Sequence, residues 1–249
     1  MKLLTANLFR VAALALLLIL LFRTEWLSFL LTPLTKNNAP AVYTQSSLPL
    51  LALGHLQLVL ISIVGSAVVA ILGGVFVTRR SGADFLPLSR AIANAGQTFP
   101  PVAVLALAVP AMGFGAGPTL VALFLYGLLP IFENTISGLR QVSPAVLDAA
   151  DGMGMNPTQR LFQVELPLAL PLIIEGVKVA TVINIGTATI GSTVAASTLG
   201  EAIIAGLINS NLAFVAQGGL VVGVLAILIY DALRGLEHRI AKQTGMVVR

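Results

Sequence analysis

Apolar residues fall along this chain in long blocks, and the polar residues between them gather into short stretches rich in proline, glycine and charge. A helix needs about 20 apolar residues to cross the ~30 Å hydrocarbon core of a bilayer. Six blocks have that length, at 11–31, 56–77, 91–112, 119–139, 172–196 and 212–233. The first, Val11–Leu31, reads as an uncleaved span with Trp26 near its far interface, because no small-x-small cleavage site follows it. The third is interrupted by Pro100-Pro101 and Pro110. Residues 32–52, with Pro33, Pro40 and Pro49, read as a loop. The tail Arg234–Arg249 is basic and amphipathic.

Composition narrows the class. The chain of 249 residues is 57% hydrophobic and only 10% charged, with a mean hydropathy of +0.97. Soluble domains carry about 25% charged residues. A soluble globular protein, a disordered chain and a nucleic-acid binder are therefore excluded together. The expected fold is an all-α polytopic membrane protein, a single transmembrane domain over residues 1–249. There is no cysteine, and His55 and His238 are the only histidines. Neither a metal centre nor a catalytic residue is expected. Tyr230-Asp231 lacks the second aspartate of an intramembrane aspartyl protease, and no His-Glu-x-x-His motif occurs.

The basic residues set an orientation. With the N-terminus inside, the inner segments hold Lys2, Arg10, Arg79, Arg80, Arg90, Arg140, Arg160, Lys178, Arg234, Arg239, Lys242 and Arg249. The outer segments hold only Arg23 and Lys36. This asymmetry places both termini and the segment 140–171 in the cytoplasm.

That segment carries the candidate chemistry. Ser143-Pro144 starts a short helix as N-cap and first helical residue. Gly152, Gly154, Asn156 and Pro157 end it, and Thr158–Val164 makes a second turn of helix before Leu166-Pro167. The spacing is informative: Asp148-Ala149-Ala150, three residues, Gly154, nine residues, Val164, one residue, Leu166-Pro167. It resembles the Glu-Ala-Ala loop of the permease subunits of ABC importers, with Asp148 in place of the usual glutamate. Gln97–Pro101, Phe124–Pro130, Gly152–Met155, Val164–Leu168, Asn184–Ile190 and Ser197–Gly200 are similar to permeases for osmoprotectants such as glycine betaine, choline and carnitine. Asn184–Ile190 followed by Ser197–Gly200 resembles in particular the smaller permease of two-permease enterobacterial-type betaine systems.

The resemblance implies a type I ABC importer permease fold of about six spans in the bacterial inner membrane. The short helix would dock on a separate ABC ATPase dimer that binds ATP and Mg²⁺. Asp148, Ala149, Ala150, Gly154, Leu166 and Pro167 would couple the two, Gly154 allowing a turn that a side chain would obstruct. The chain itself has no phosphate-binding loop and binds no cofactor. A periplasmic or lipid-anchored binding protein and a second permease, either the same chain or a paralogue, are the implied partners. Sulfonate or amino acid remains the alternative solute.

Polar residues within spans are costly in lipid and belong on the bundle interior or a water-filled path. Gln97, Asn184 and Thr187 are the candidates for the path, against the bland reading that they only tie helices together. With one tryptophan and three tyrosines, none clustered in sequence, a high-affinity aromatic cage for a quaternary amine is expected on the binding protein instead. Glu133, with Arg140 two turns on along the same face, reads as one half of an interfacial ion pair or as snorkelling, with a cytoplasmic gate contact as the alternative. Glu175 and Lys178 are expected to form a surface pair, and Glu201 is a candidate contact for the binding protein. Gly219-x-x-x-Gly223 permits close helix packing.

Overall fold

The computed structural model describes residues 2–243, and every regular element among them is helical. Lys2, whose side chain falls outside the described atoms, opens α1 (Lys2–Phe22). The last six residues of the basic tail, Thr244 to Arg249, lie outside the described residues. Four stretches are long and apolar enough to cross a membrane: Leu48–Val77, Ala116–Arg140, Pro157–Val194 and Leu212–Lys242. Two bent pairs of helices raise the number to as many as six.

The first block is not one helix. After α1 the chain turns by 107° into a short segment that includes α2 (Ser28–Leu31). The bend sits at the polar triplet Arg23-Thr24-Glu25. Arg23 leaves the helical region at φ −142°, and the Thr24 hydroxyl donates back to the Leu20 carbonyl at 2.6 Å. The 21 residues of α1 reach about 31 Å at 1.5 Å each, but only Val11–Phe22 is continuously apolar, and the first candidate span is the bent pair Asn7–Phe22 with Thr24–Leu34. The segment after the bend exposes Trp26, Phe29 and Leu30.

Next come α3 (Leu48–Val77), α4 (Leu86–Thr98) and α5 (Pro101–Met112). The third block thus breaks between α4 and α5. The cause is local: a residue before proline is driven out of the helical region. Phe99, before Pro100, has ψ 131°, and Pro100, before Pro101, has ψ 134°. Then follow α6 (Ala116–Arg140), α7 (Pro144–Gly152) and α8 (Pro157–Arg160). A single π-turn, Leu161–Glu165, runs without a break into α9 (Leu166–Thr187). The expected second short helix at 158–164 is thus continuous with the fifth apolar block, in one helix from Pro157 in place of a separate start at Leu172. A 3₁₀ segment, Ala188–Val194, ends on Ala195 at φ 62°, and α10 (Gly200–Ile208) and α11 (Leu212–Gln243) complete the chain. The last helix runs ten residues beyond the expected Leu233.

The chain forms two compact units. The first comprises Met1–Ser62, Pro100–Leu123 and Val182–Tyr230. Its core joins Leu17 and Leu20 of α1, Leu51 of α3, Leu199, and Phe214 and Val221 of α11. His55 of α3 is buried and donates to the Ile185 carbonyl at 2.9 Å. The segment before α3 is tied to α11: Gln217, fully buried, accepts from the Tyr43 amide at 3.1 Å and donates to the Ala41 carbonyl at 2.6 Å. Glu201 accepts from the Tyr43 hydroxyl at 2.9 Å and from the Ser46 hydroxyl. The residue expected to meet a binding protein is thus engaged inside the chain. Burial, and secondarily Glu201, pushes the Tyr43 hydroxyl above its ordinary pKa, so it keeps its proton as donor. In α11 the close approach belongs to Gly218, where a Cβ would stand 2.7 Å from Ile203. Gly219 and Gly223 face open space.

The second unit comprises Ile63–Phe99, Phe124–Thr181 and Asp231–Arg249. Leu139, Ala169 and Ile173 form a core against which Ile71, Val75 and Leu166 pack. Its charges are paired across helices. Arg90 of α4 grips Glu133 of α6 through two bonds at 2.7 and 2.8 Å, so Glu133 pairs with Arg90 and not with Arg140. The expected pair of Glu175 and Lys178 exists, but Lys178 is buried and also reaches Glu237 of α11 at 2.7 Å.

Candidate functional site

The loop from α7 to the start of α9 is built by successive local signals. Ser143 occupies the N-cap position and Pro144 the first turn of α7. The Ser143 side chain makes no capping bond, and the amides of Val146 and Leu147 use its carbonyl instead. At the far end Gly154 turns left-handed, at φ 77°, and the Met155 amide closes back on the Ala150 carbonyl at 3.2 Å. A Cβ on Gly154 would meet nothing within 4 Å. Glycine is thus needed for the sign of φ, and the expected obstruction by a side chain is not found within this chain. The next helix has the stronger cap. The Asn156 side chain accepts from the Gln159 amide at 2.9 Å, and the Gln159 side chain accepts from the Asn156 amide at 3.0 Å.

The candidate coupling residues divide by exposure. Asp148 and Ala149 are exposed on α7 with Val146 and Met153, whereas Ala150 is 1% exposed and packs inward. Leu166 and Pro167 are half-buried in the first turn of α9. Pro167 has no amide to donate, and it stands directly after the π-turn Leu161–Glu165 within the continuous helix from Pro157.

Four charged residues without an assigned role are brought together behind α7. Arg160 donates to both carboxylate oxygens of Asp151, at 2.9 and 2.7 Å, and to Glu165 at 3.1 Å. Glu165 accepts a fork from Arg79, just past the end of α3, at 3.0 and 2.5 Å. The sequence held one signal for them: with 10% charged residues overall, two acids and a base within fifteen positions are conspicuous.

Comparison with known proteins fits this geometry. Residues 70–242 match the family described as the inner membrane component of binding-protein-dependent transport systems. The chain belongs to that family. Among relatives of this permease, the osmoprotectant import permease protein OsmY of Salmonella typhimurium is 38% identical over 190 residues, 76% of this chain and 80% of the relative. The glycine betaine/carnitine/choline transport system permease protein OpuCB of Bacillus subtilis is 36% identical over 187 residues, 75% of this chain and 85% of the relative. In structure the permease resembles a chain of the MetNI methionine ABC transporter in an inward-facing conformation. The TM-score is 0.70 at 22% identity, covering 78% of this chain and 95% of the other. The fold is thus the type I importer permease fold, in a multi-pass protein of the inner membrane.

The permease places its three path candidates differently. Asn184 is fully buried. Its side-chain amide donates to the Leu123 carbonyl at 2.9 Å and the Ser62 hydroxyl at 3.2 Å. That is the bonding of a helix tie, and Asn184 does not face an opening of this chain. Gln97 is half-buried and donates to the Tyr126 carbonyl at 3.1 Å. Thr187 is half-buried at the end of α9.

Proposed function

We propose that this permease is the membrane subunit of an ATP-driven importer for glycine betaine or a related quaternary amine. The observation that carries this reading is α7, a short helix with Val146, Asp148, Ala149 and Met153 exposed and the helices behind it joined by ion pairs. A separate ATPase dimer grips α7, and ATP with Mg²⁺ binds on that partner. Closure of the dimer moves the loop, and the loop moves the spans between inward-open and outward-open states. Asp148, Ala149, Gly154, Leu166 and Pro167 carry the contact or shape it, and Ala150 seats the helix.

The printed specificities of the relatives, osmoprotectants in one and glycine betaine, carnitine and choline in the other, support the substrate class. A binding protein, periplasmic or lipid-anchored, captures the solute. A second permease, self or paralogue, completes a pore of which one chain supplies half. Gln97 and Thr187 are the remaining candidates for the path. The permease performs no chemistry of its own, and both termini are cytoplasmic by the distribution of basic residues.

The test is uptake of labelled glycine betaine by cells lacking their own osmoprotectant systems and expressing the permease with its ATPase and binding protein. Uptake that stops on ATP depletion is expected. Assembly with the ATPase but no entry of betaine, choline or carnitine would overturn the substrate class, with a sulfonate or an amino acid next in line.

A further inference from the structure

The guanidinium groups of Arg160 and Arg79 make one chain of ion pairs: Asp151 to Arg160, Arg160 to Glu165, and Glu165 to Arg79. Asp151 belongs to α7, Arg160 to α8, Glu165 to the π-turn before α9, and Arg79 to the turn after α3. We infer that this four-residue chain is the linkage by which displacement of α7 reaches the end of α3. The inference rests on the proposal that an ATPase grips α7.

Three features argue for transmission over simple stabilisation. The outer end of the chain is wet: the Asp151 side chain is 53% exposed, and exposed ion pairs add little stability. Arg79 meets Glu165 through paired bonds from two nitrogens, at 3.0 and 2.5 Å, and Arg160 bridges two acids from different nitrogens of one plane, Nη1 to Asp151 at 2.9 and 2.7 Å and Nε to Glu165 at 3.1 Å. Paired bonds fix orientation as well as distance. The carboxylate between the two arginines is nearly dry, the Glu165 side chain being 6% exposed against 27% for Arg79 and 26% for Arg160, so Glu165 does not readily trade its partners for water as α7 moves. Push or pull on the exposed helix is therefore delivered to a buried carboxylate held on both sides. The π-turn that carries Glu165 lacks the tight ladder of an α-helix, and such turns recur at functional sites. Asp148, the acid of the loop motif, takes no part: it makes no ion pair with the described residues and is left for the partner.

The chain has no cysteine, so a single reporter can be placed at the end of α3. Ser81→Cys is exposed, two residues past Arg79. In the complete complex with its ATPase, in vesicles, the thiol labelling rate at Ser81→Cys is compared with and without ATP plus vanadate. A change of about tenfold is expected in the otherwise native background, within the usual range of coupling energies. In Arg160→Gln and Asp151→Asn the change should vanish while the ATPase still co-purifies with the permease. Arg160→Lys, which keeps the charge but not the planar bridge, should restore part of it. A native complex whose labelling ignores ATP, or an undiminished response in Arg160→Gln, overturns the linkage. Failure of the native permease to co-purify with an ATPase would instead overturn the proposed function, and that is read in the same preparation.

Discussion

Lys178 and Glu237 lie 59 positions apart in sequence, yet the Lys178 Nζ stands 2.7 Å from a Glu237 carboxylate oxygen, and both residues are buried. Glu175 closes on the same ammonium from one turn away on α9. The bond pins the late part of α11 to α9. Lys178→Met leaves two carboxylates without a cation, one of them buried. Breaking a buried pair from one side costs about 3–5 kcal/mol. The variant should unfold at clearly lower temperature in detergent. The double variant Lys178→Met with Glu237→Met should recover most of the loss, because both buried charges are then gone. Equal melting temperatures for the single and double variants would refute the arrangement.

Gly154 turns at φ 77° in open space. A left-handed residue costs about 1–2 kcal/mol for any side chain with a Cβ, and less for asparagine. Gly154→Ala and Gly154→Leu should therefore impair glycine betaine uptake alike, and Gly154→Asn should do so less. If alanine behaves as the native glycine and only leucine fails, the requirement is space on the partner and not backbone conformation.

Gln217 holds the segment before α3 through two main-chain groups, the Tyr43 amide and the Ala41 carbonyl. Gln217→Leu would leave both unpaired, at about 1–3 kcal/mol for each buried group. The segment 35–47 should then become sensitive to protease while the long helices remain intact. Tyr43→Phe removes only the hydroxyl's side-chain bonds, to Glu201 and Ser46, and should have a smaller effect in the same digestion.

The orientation is open to direct measurement. Ser81 and Lys36 are both exposed. Ser81→Cys should react with an impermeant thiol reagent only in inside-out vesicles, and Lys36→Cys only in right-side-out cells. Gly82, in the same turn, is a poor reporter site, since a Cβ there would fall 2.2 Å from the Phe76 carbonyl. Labelling of Ser81→Cys from outside intact cells would reverse the topology.

Hydrophobic blocks made the helices legible, because a bilayer demands apolar length and internal backbone bonding whatever the neighbours are. The loop motif was legible because its signals are local: a proline start, a left-handed glycine and an asparagine–glutamine cap. The break at Phe99–Pro100 was foreshadowed by its two prolines. The bend at Arg23 was harder to see, since apolar residues continue on both sides of it and only one polar triplet marks the turn.

Partner choice was not legible. Glu133 had Arg140 two turns away on its own helix but is held by Arg90 on another. Asn184 had the polarity of a path residue but is fully enclosed, and Gly218 makes the close approach where Gly219 and Gly223 had the motif. The sequence by itself determined where the apolar blocks lie, how the basic residues divide among the segments that join them, and where the loop with the Asp148–Pro167 spacing falls. Each of these follows from composition or spacing within a stretch of chain. The tertiary structure alone decided which charges meet, because Arg79, Glu165, Arg160 and Asp151 come together only when separate helices pack, and pairing energy depends on distance and burial that no local pattern encodes.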